Sequence, residues 1–306
     1  MGRYAMTVLG KLPGEKLGFT YVHEHVYTYI VDGDGKKTYS VTDLEGTEKE
    51  LLTLKAAGVT TLTDMSVFGM GRNAELCKAL SAKTGVQIIC ASGFYRDAVL
   101  SEHLKRKSSN ELEELILDEC RNGVDYTDIL PGILKIAFSK NEITPLEERL
   151  AHVMASVQRK TGMPLYCHLT DGTMGLEAAE LLLEAGAEAG RLAIGHIDVS
   201  KDESILEKIC EKGISISLDK FGREYREKDG GRIGVIKNLI QKGWLEQLLV
   251  SSDMGNPKYL RNYGGAPGLD YLKKIVVPFM EEKGISSEQI RQIFVENPKR
   301  LFCFLP

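Results

Sequence analysis

Six side chains in this 306-residue chain have the types and spacings that hold metal ions: His23, His25, Lys135, His168, His196 and Asp253. In the stretch Tyr21-Val22-His23-Glu24-His25-Val26 two histidines stand two apart. A strand's period of two sends both imidazoles to one face and Glu24 to the other. Alone, such a pair is more often structural than metal-binding. The context changes that reading, because His23, His25, His168 and His196 all close apolar, strand-like runs, whereas His103 and His152 fall in helical patterns and read as ordinary helix residues. Asp253 closes the last such run and adds a carboxylate, giving the mixed His/Asp set that suits zinc and its divalent neighbours.

Four histidines and one aspartate exceed what one tetrahedral catalytic ion uses while keeping a position open for water, so two ions are expected. Paired ions sit about 3.5–4 Å apart and need an anionic bridge. The run Gly132-Ile133-Leu134-Lys135-Ile136-Ala137-Phe138 reads as a buried strand carrying a single lysine. A buried ammonium costs several kcal/mol unless it loses its proton, finds a partner or changes chemically. A Lys135 carbamylated by carbon dioxide is a carboxylate on a long arm and supplies the bridge. The plainer alternative is a lysine that snorkels to solvent or pairs with a carboxylate.

Eight strand-like runs alternate with amphipathic segments: 17–25, 59–66, 86–93, 132–139, 163–170, 191–198, 213–220 and 247–254. This is the pattern of βα units around a parallel sheet. Thr144-Pro145-Leu146-Glu147 and Ser200-Lys201-Asp202-Glu203 fit capping boxes, and Gly162 and Gly213 fit helix stops. An open doubly wound sheet shows similar alternation. The polar residues favour closure, since His23, His25, Asp64, Lys135, His168, His196, Asp219 and Asp253 all lie at C-terminal strand ends, which in a (β/α)8 TIM barrel converge on one mouth. One barrel of about 250 residues plus terminal extensions accounts for residues 1–306 as a single domain.

With 39 basic against 43 acidic residues and a net charge of −4, the chain has no global field for nucleic acid or anionic lipid, so small-molecule partners are expected. The absence of a long apolar run or secretory core predicts a cytoplasmic protein with no membrane span. Six dispersed cysteines without a CxxC pair predict reduced thiols, not a disulfide frame or zinc knuckle. No GxGxxG follows a strand, so no nucleotide cofactor is expected.

The order His23-x-His25, Lys135 in GILK, His168 in YCHLTDGT, His196 in IGHIDVS and Asp253 in SSDMG, closing with NPKRLF at 297–302, resembles the phosphotriesterase family of the amidohydrolase superfamily. The resemblance spans nearly the whole chain. It implies a binuclear divalent centre, with zinc expected and manganese or cobalt as alternatives: His23, His25 and Asp253 on the buried ion, His168 and His196 on the exposed one, and carbamylated Lys135 bridging both with a hydroxide. Hydrolysis would follow, with Asp253 taking the proton released on attack and delivering it to the leaving group.

Substrate recognition belongs to the βα loops. Those after the seventh and eighth strands, KFGREYREKDGGR at 220–232 and MGNPKYLRNYGG at 254–265, are basic and sit where this fold often binds phosphate. Lys220, Arg223, Lys258, Arg261 and Tyr263 could clamp a phosphate, whereas Arg226, Lys228 and Arg232 read as solvated. Lactonases of the family typically carry a tyrosine after the third strand, where Tyr95 stands in SGFYRD. The sequence thus looks like the branch that opens phosphorylated sugar (aldono-1,4-) lactones, with Tyr95, Lys220, Arg261 and Tyr263 as substrate contacts. Alternatives are a phosphotriesterase or amide hydrolase on the same metals, a metal-dependent deoxyribonuclease, or a barrel repurposed for binding. The deoxyribonuclease reading conflicts with Lys135, where those enzymes use a glutamate. The resemblance also allows a homodimer.

Overall fold

The computed structural model describes residues 3–31, 35–199, 203–223 and 226–304. Eight strands, β1 (Thr20–Glu24), β2 (Thr61–Asp64), β3 (Gln87–Gly93), β4 (Ile133–Phe138), β5 (Leu165–Leu169), β6 (Leu192–Gly195), β7 (Ser215–Leu218) and β8 (Leu248–Val250), form one sheet in chain order. Every neighbouring pair is parallel. Among the described residues each crossover carries one long helix, α1 (Leu44–Ala56), α2 (Ala74–Thr84), α3 (Ser109–Asn122), α4 (Pro145–Thr161), α5 (Gly175–Glu184), α6 (Glu203–Glu211) and α7 (Arg226–Gln241), with a further short helix at Glu102–Lys105 before α3. After β8 the chain ends in helical segments, two of them entered through π-helical turns at Leu272–Val276 and Gln292–Glu296. Pro278 and Pro298 stand in the first turns that follow. A proline offers no N–H to the i−4 ladder, which accounts for the wider turn before it.

The architecture is the expected (β/α)8 barrel, and each of the eight anticipated runs contains one strand. Helix punctuation follows the sequence where it can be described: Thr144 and Glu147 form a reciprocal capping box, and Gly162 ends α4 at φ +68°. Gly213, at φ +80°, follows α6. The box expected at Ser200–Glu203 falls on residues outside those described. All six cysteines are free. No described helix is long and apolar enough to cross a membrane.

Two hairpins were not anticipated. Tyr4–Thr7 pairs with Gly10–Pro13 and meets the start of β3 through Val8 N–H to Ile88 O at 2.8 Å, at the strands' N-terminal end. Thr28–Val31 pairs with Lys37–Val41 at the opposite rim.

A register shift in β1 positions the site. Tyr21 pairs with Leu62 and Glu24 with Asp64, so β1 carries one extra residue between them. Tyr21 packs with the outer core under the helices and its hydroxyl accepts Lys273 N–H, whereas Val22 packs with the barrel-interior cluster. In a regular strand His23 would follow Tyr21 outward. The extra residue lets His23 follow Val22 inward, the re-aiming that β-bulges commonly perform beside active sites.

Candidate metal centre

β1 delivers His23 and, one step past its end, His25, while β4 and β5 deliver Lys135 and His168. His196 and Asp253 stand just beyond β6 and β8 in left-handed turns, at φ +61° and +49°. The Asp253 carboxylate is central: Oδ1 lies 3.3 Å from His25 Nε2 and 3.6 Å from His23 Nε2, and Oδ2 lies 3.7 Å from His196 Nε2. His196 Nε2 is also 2.7 Å from His168 Nδ1.

The far nitrogens are fixed from behind. Asp219, wholly buried just past β7, accepts from His23 Nδ1 at 3.0 Å and from His196 Nδ1 at 2.6 Å. A third donor is the Tyr166 hydroxyl. Burial opposes ionisation of Asp219, yet His196 and His23 hold its carboxyl well below the usual range. An ionised carboxylate can only accept, so it sets the Nδ1–H tautomer of both rings and turns their Nε2 lone pairs toward Asp253. His25 Nδ1 meets Ser66 Oγ at 2.9 Å.

Electrostatics complete a donor set. Burial drives His23 down to about 3, lowers His25, and takes His168 well below its ordinary value, so these imidazoles are neutral. Asp253 is disfavoured as an anion by burial but is held well below the normal carboxylate range by Lys220 and Arg223. His23 Nε2 is buried with no hydrogen-bond partner. An orphaned buried lone pair is costly and rare. Ligand atoms of His23, His25 and Asp253 all lie within 4.8 Å of one another, so these residues fit a divalent ion.

Residues 4–302 match the phosphotriesterase family. The chain belongs to that family. Its enzymes are binuclear metal hydrolases, and this chain is a hydrolase with candidate metal-binding residues at its strand ends. The chain is 30% identical to the phosphotriesterase homology protein of Escherichia coli, covering 93% of this chain and 98% of the relative. Among solved structures it is similar to a lactonase from Listeria monocytogenes, at TM-score 0.92 and 28% identity over 99% of this chain and 100% of that one. It is also similar to the organophosphorus hydrolase of Deinococcus radiodurans, at TM-score 0.88 and 30% identity over 98% and 97%.

Within this phosphotriesterase-family centre, Lys135 is fully buried and its Nζ donates to Met65 O at 2.7 Å, with Met70 Sδ at 3.6 Å. Its chain therefore does not snorkel. Burial pulls it down to about 8, against the opposing pull of Asp253, Asp64 and Asp219. It lines the same cavity of about 160 Å3 as His25, His168, His196 and Asp253.

Tyr95, Lys220 and Arg223 line that cavity too. Tyr95 Oη lies 3.4 Å from His168 Nε2. Lys220 Nζ reaches Asp253 Oδ2 at 2.8 Å, and Arg223 donates to the same oxygen. Arg261 and Tyr263 are engaged elsewhere. Arg261 pairs with Asp270 at 3.0 Å, and the Tyr263 hydroxyl bonds Thr47 Oγ1 and Asp43 O on the first turn of α1. Neither lines the cavity, because the loop after β8 folds back onto α1 and onto its own carbonyls. Lys258 lies over the Tyr259 ring at 4.8 Å. The Arg226 side chain lies outside those described.

Lys220 and Arg223 also border a second chamber of about 550 Å3, together with Lys228, Arg232 and Tyr259. Lys228 and Arg232 thus face a cavity, where the sequence suggested solvated loop charges. Sequence reasoning noted Asp219 only as one more strand-end acid, and it missed Ser66, Tyr166 and the hairpin residue Tyr39 in the cavity wall. The strand-end position that selected the ligands also marks Asp219. Nothing in the sequence marks Ser66 or Tyr39.

Proposed function

We propose that this hydrolase is a lactonase opening a phosphorylated sugar lactone, with the ester ring in the metal cavity and the phosphate in the adjoining basic chamber. The observation that carries this reading is the pair Lys220 and Arg223, which line both spaces. A cavity of about 160 Å3 holds only the reacting ring, since ligand sites usually span about 300–1,000 Å3. The rest of the substrate extends past these two cations into the wider chamber. Charge-assisted bonds to phosphate oxygens there supply both affinity and register.

His23, His25 and Asp253 would hold one divalent ion and His168 with His196 the other. Bound divalent ions lower the pKa of water toward neutrality and polarise an ester carbonyl. Lys135, pulled down to about 8, has an accessible free amine at neutral pH and so can take up carbon dioxide as a carbamate. Asp253 Oδ2 would accept the proton lost when water attacks the carbonyl and return it to the ring oxygen that leaves. The Tyr95 hydroxyl, 3.4 Å from His168 Nε2, would orient the ring. Zinc is the expected metal, and the substrate is a small molecule.

The test is a panel of 1,4- and 1,5-lactones with and without a 5-phosphate, run beside paraoxon and N-acyl amino acids on metal-replete enzyme. The phosphate should raise kcat/KM at least tenfold, and Lys228→Ala should remove much of that gain while sparing plain lactones, consistent with ~1.5–3 kcal/mol for a charge-assisted bond. Equal rates on plain and phosphorylated lactones would defeat the phosphate reading. Preference for paraoxon or an N-acyl amino acid would replace the lactone by the phosphotriester or amide.

A further inference from the structure

The acid between the two histidines has a structural duty that the metal chemistry leaves unassigned. Among the described residues no ladder joins β1 to β8, so the barrel has a seam there. Asp253 N–H to His23 O at 3.0 Å crosses it, and His23 N–H donates to Ser251 Oγ at 3.0 Å. Ser251 Oγ also lies 3.0 Å from His23 O. Further links come from Glu24, which is fully buried on the strand face opposite the imidazoles. Its Oε1 accepts Ser252 N–H at 2.9 Å and lies 2.8 Å from Ser251 Oγ, while its Oε2 accepts Met254 N–H at 2.9 Å.

The two amides taken by Glu24 flank Asp253. That residue sits at φ +49°, a left-handed conformation uncommon for residues with a Cβ, although aspartate takes it more readily than most. The regular alternative would carry the Asp253 carboxylate away from His23 and His25. We propose that Glu24 is a positioning residue for Asp253, its carboxylate clamping both neighbouring amides so that the left-handed turn presents Asp253 to the two imidazoles. Asp219 fixes the rings and Glu24 fixes the carboxylate that meets them. The spacing His-Glu-His thus encodes two ligands on one face and, on the other, the support for a third ligand, Asp253, beyond the last strand.

The inference rests on His23, His25 and Asp253 holding an ion, and the test separates the two ideas. Wild-type holoenzyme and the variants Glu24→Gln, Glu24→Asp and Ser251→Ala are titrated with zinc against a chromophoric chelator, and the cobalt-substituted forms are compared by visible absorption. Glutamine keeps the length but points an amide N–H at Met254 N–H, and aspartate is too short to reach both amides. Both should weaken one site at least tenfold, in line with losses of about 10–100-fold for supporting partners of ligands, and shift the cobalt spectrum. Ser251→Ala leaves both clamped amides in place and should stay within about twofold of wild type. Wild-type affinity and an unshifted spectrum in either Glu24 variant would overturn the proposal. So would an equal loss in Ser251→Ala, which would make the effect one of seam stability, or failure of both Glu24 variants to fold. A wild-type protein that binds no ion would instead remove the metal reading itself.

Discussion

Lys135 concentrates the chemistry of single residues in this protein. A fully buried amine whose bonded partners are a backbone carbonyl and a thioether is poorly served as an ammonium, and burial pulls it to about 8. Only the free amine attacks carbon dioxide. At fixed dissolved carbon dioxide, the rate of reconstituting metal-free protein with zinc should therefore rise as pH climbs from 6 through 8, where half of the amine is free, and level off only well above 8. Stopped-flow activity recovery with and without bicarbonate checks this. A rate independent of bicarbonate would mean that Lys135 acts as a plain amine. If Lys135 forms the proposed carbamate bridge, Lys135→Met should lose activity at least a hundredfold in either buffer, because a thioether cannot take its place.

Between residue and barrel stand the elements that aim these groups. Arg72, buried in the loop between β2 and α2, donates to Glu119 on α3 at 2.5 and 3.1 Å, to Asp125 at 2.8 and 3.0 Å, and to Ala91 O on β3 at 3.0 Å. Ser92 adds a 2.6 Å bond to Glu119. This cluster ties the loop bearing Met65 and Met70, the acceptors of Lys135, to the strand that leads to Tyr95. Arg72→Met would leave Glu119 buried without its counter-charge. Losses of about 3–5 kcal/mol are expected for removing one partner of such a pair, read as a lower urea midpoint with an unchanged m-value. Close approach matters on the same strand: a Cβ at Gly93 would stand 1.9 Å from Lys135 O, at a φ of +139°. A side chain there would displace the backbone of β4 itself.

For the whole molecule, closure of the sheet and filling of the metal centre are coupled, since His23 and Asp253 belong to the two strand ends that meet at the seam. Ions that bind only the folded chain stabilise it by mass action. At a hundredfold excess of zinc over its dissociation constant, each site should contribute about 2.7 kcal/mol, so chelation with EDTA should lower Tm by several degrees and added zinc should restore it. A Tm indifferent to EDTA would mean that the protein's stability does not draw on the ions.

The sequence by itself determined the eight strands, their order and the ligand types, because strand burial and strand-end chemistry are local and repeat with each βα unit. Lys135, His168 and His196 were legible for that reason, as was the capping box that starts α4. Tertiary structure decided what depends on partners distant in the chain. The extra residue in β1 changed which face His23 takes, a difference of register against β2 that periodicity within β1 cannot contain. Asp219 became the common support of two imidazoles only when the barrel brought the end of β7 to the ends of β1 and β6. Arg261 and Tyr263 were drawn to Asp270 and α1, while Lys228 and Arg232 came to border a chamber. A loop's charge is written in its residues, but its direction is set by the contacts that the closed barrel offers.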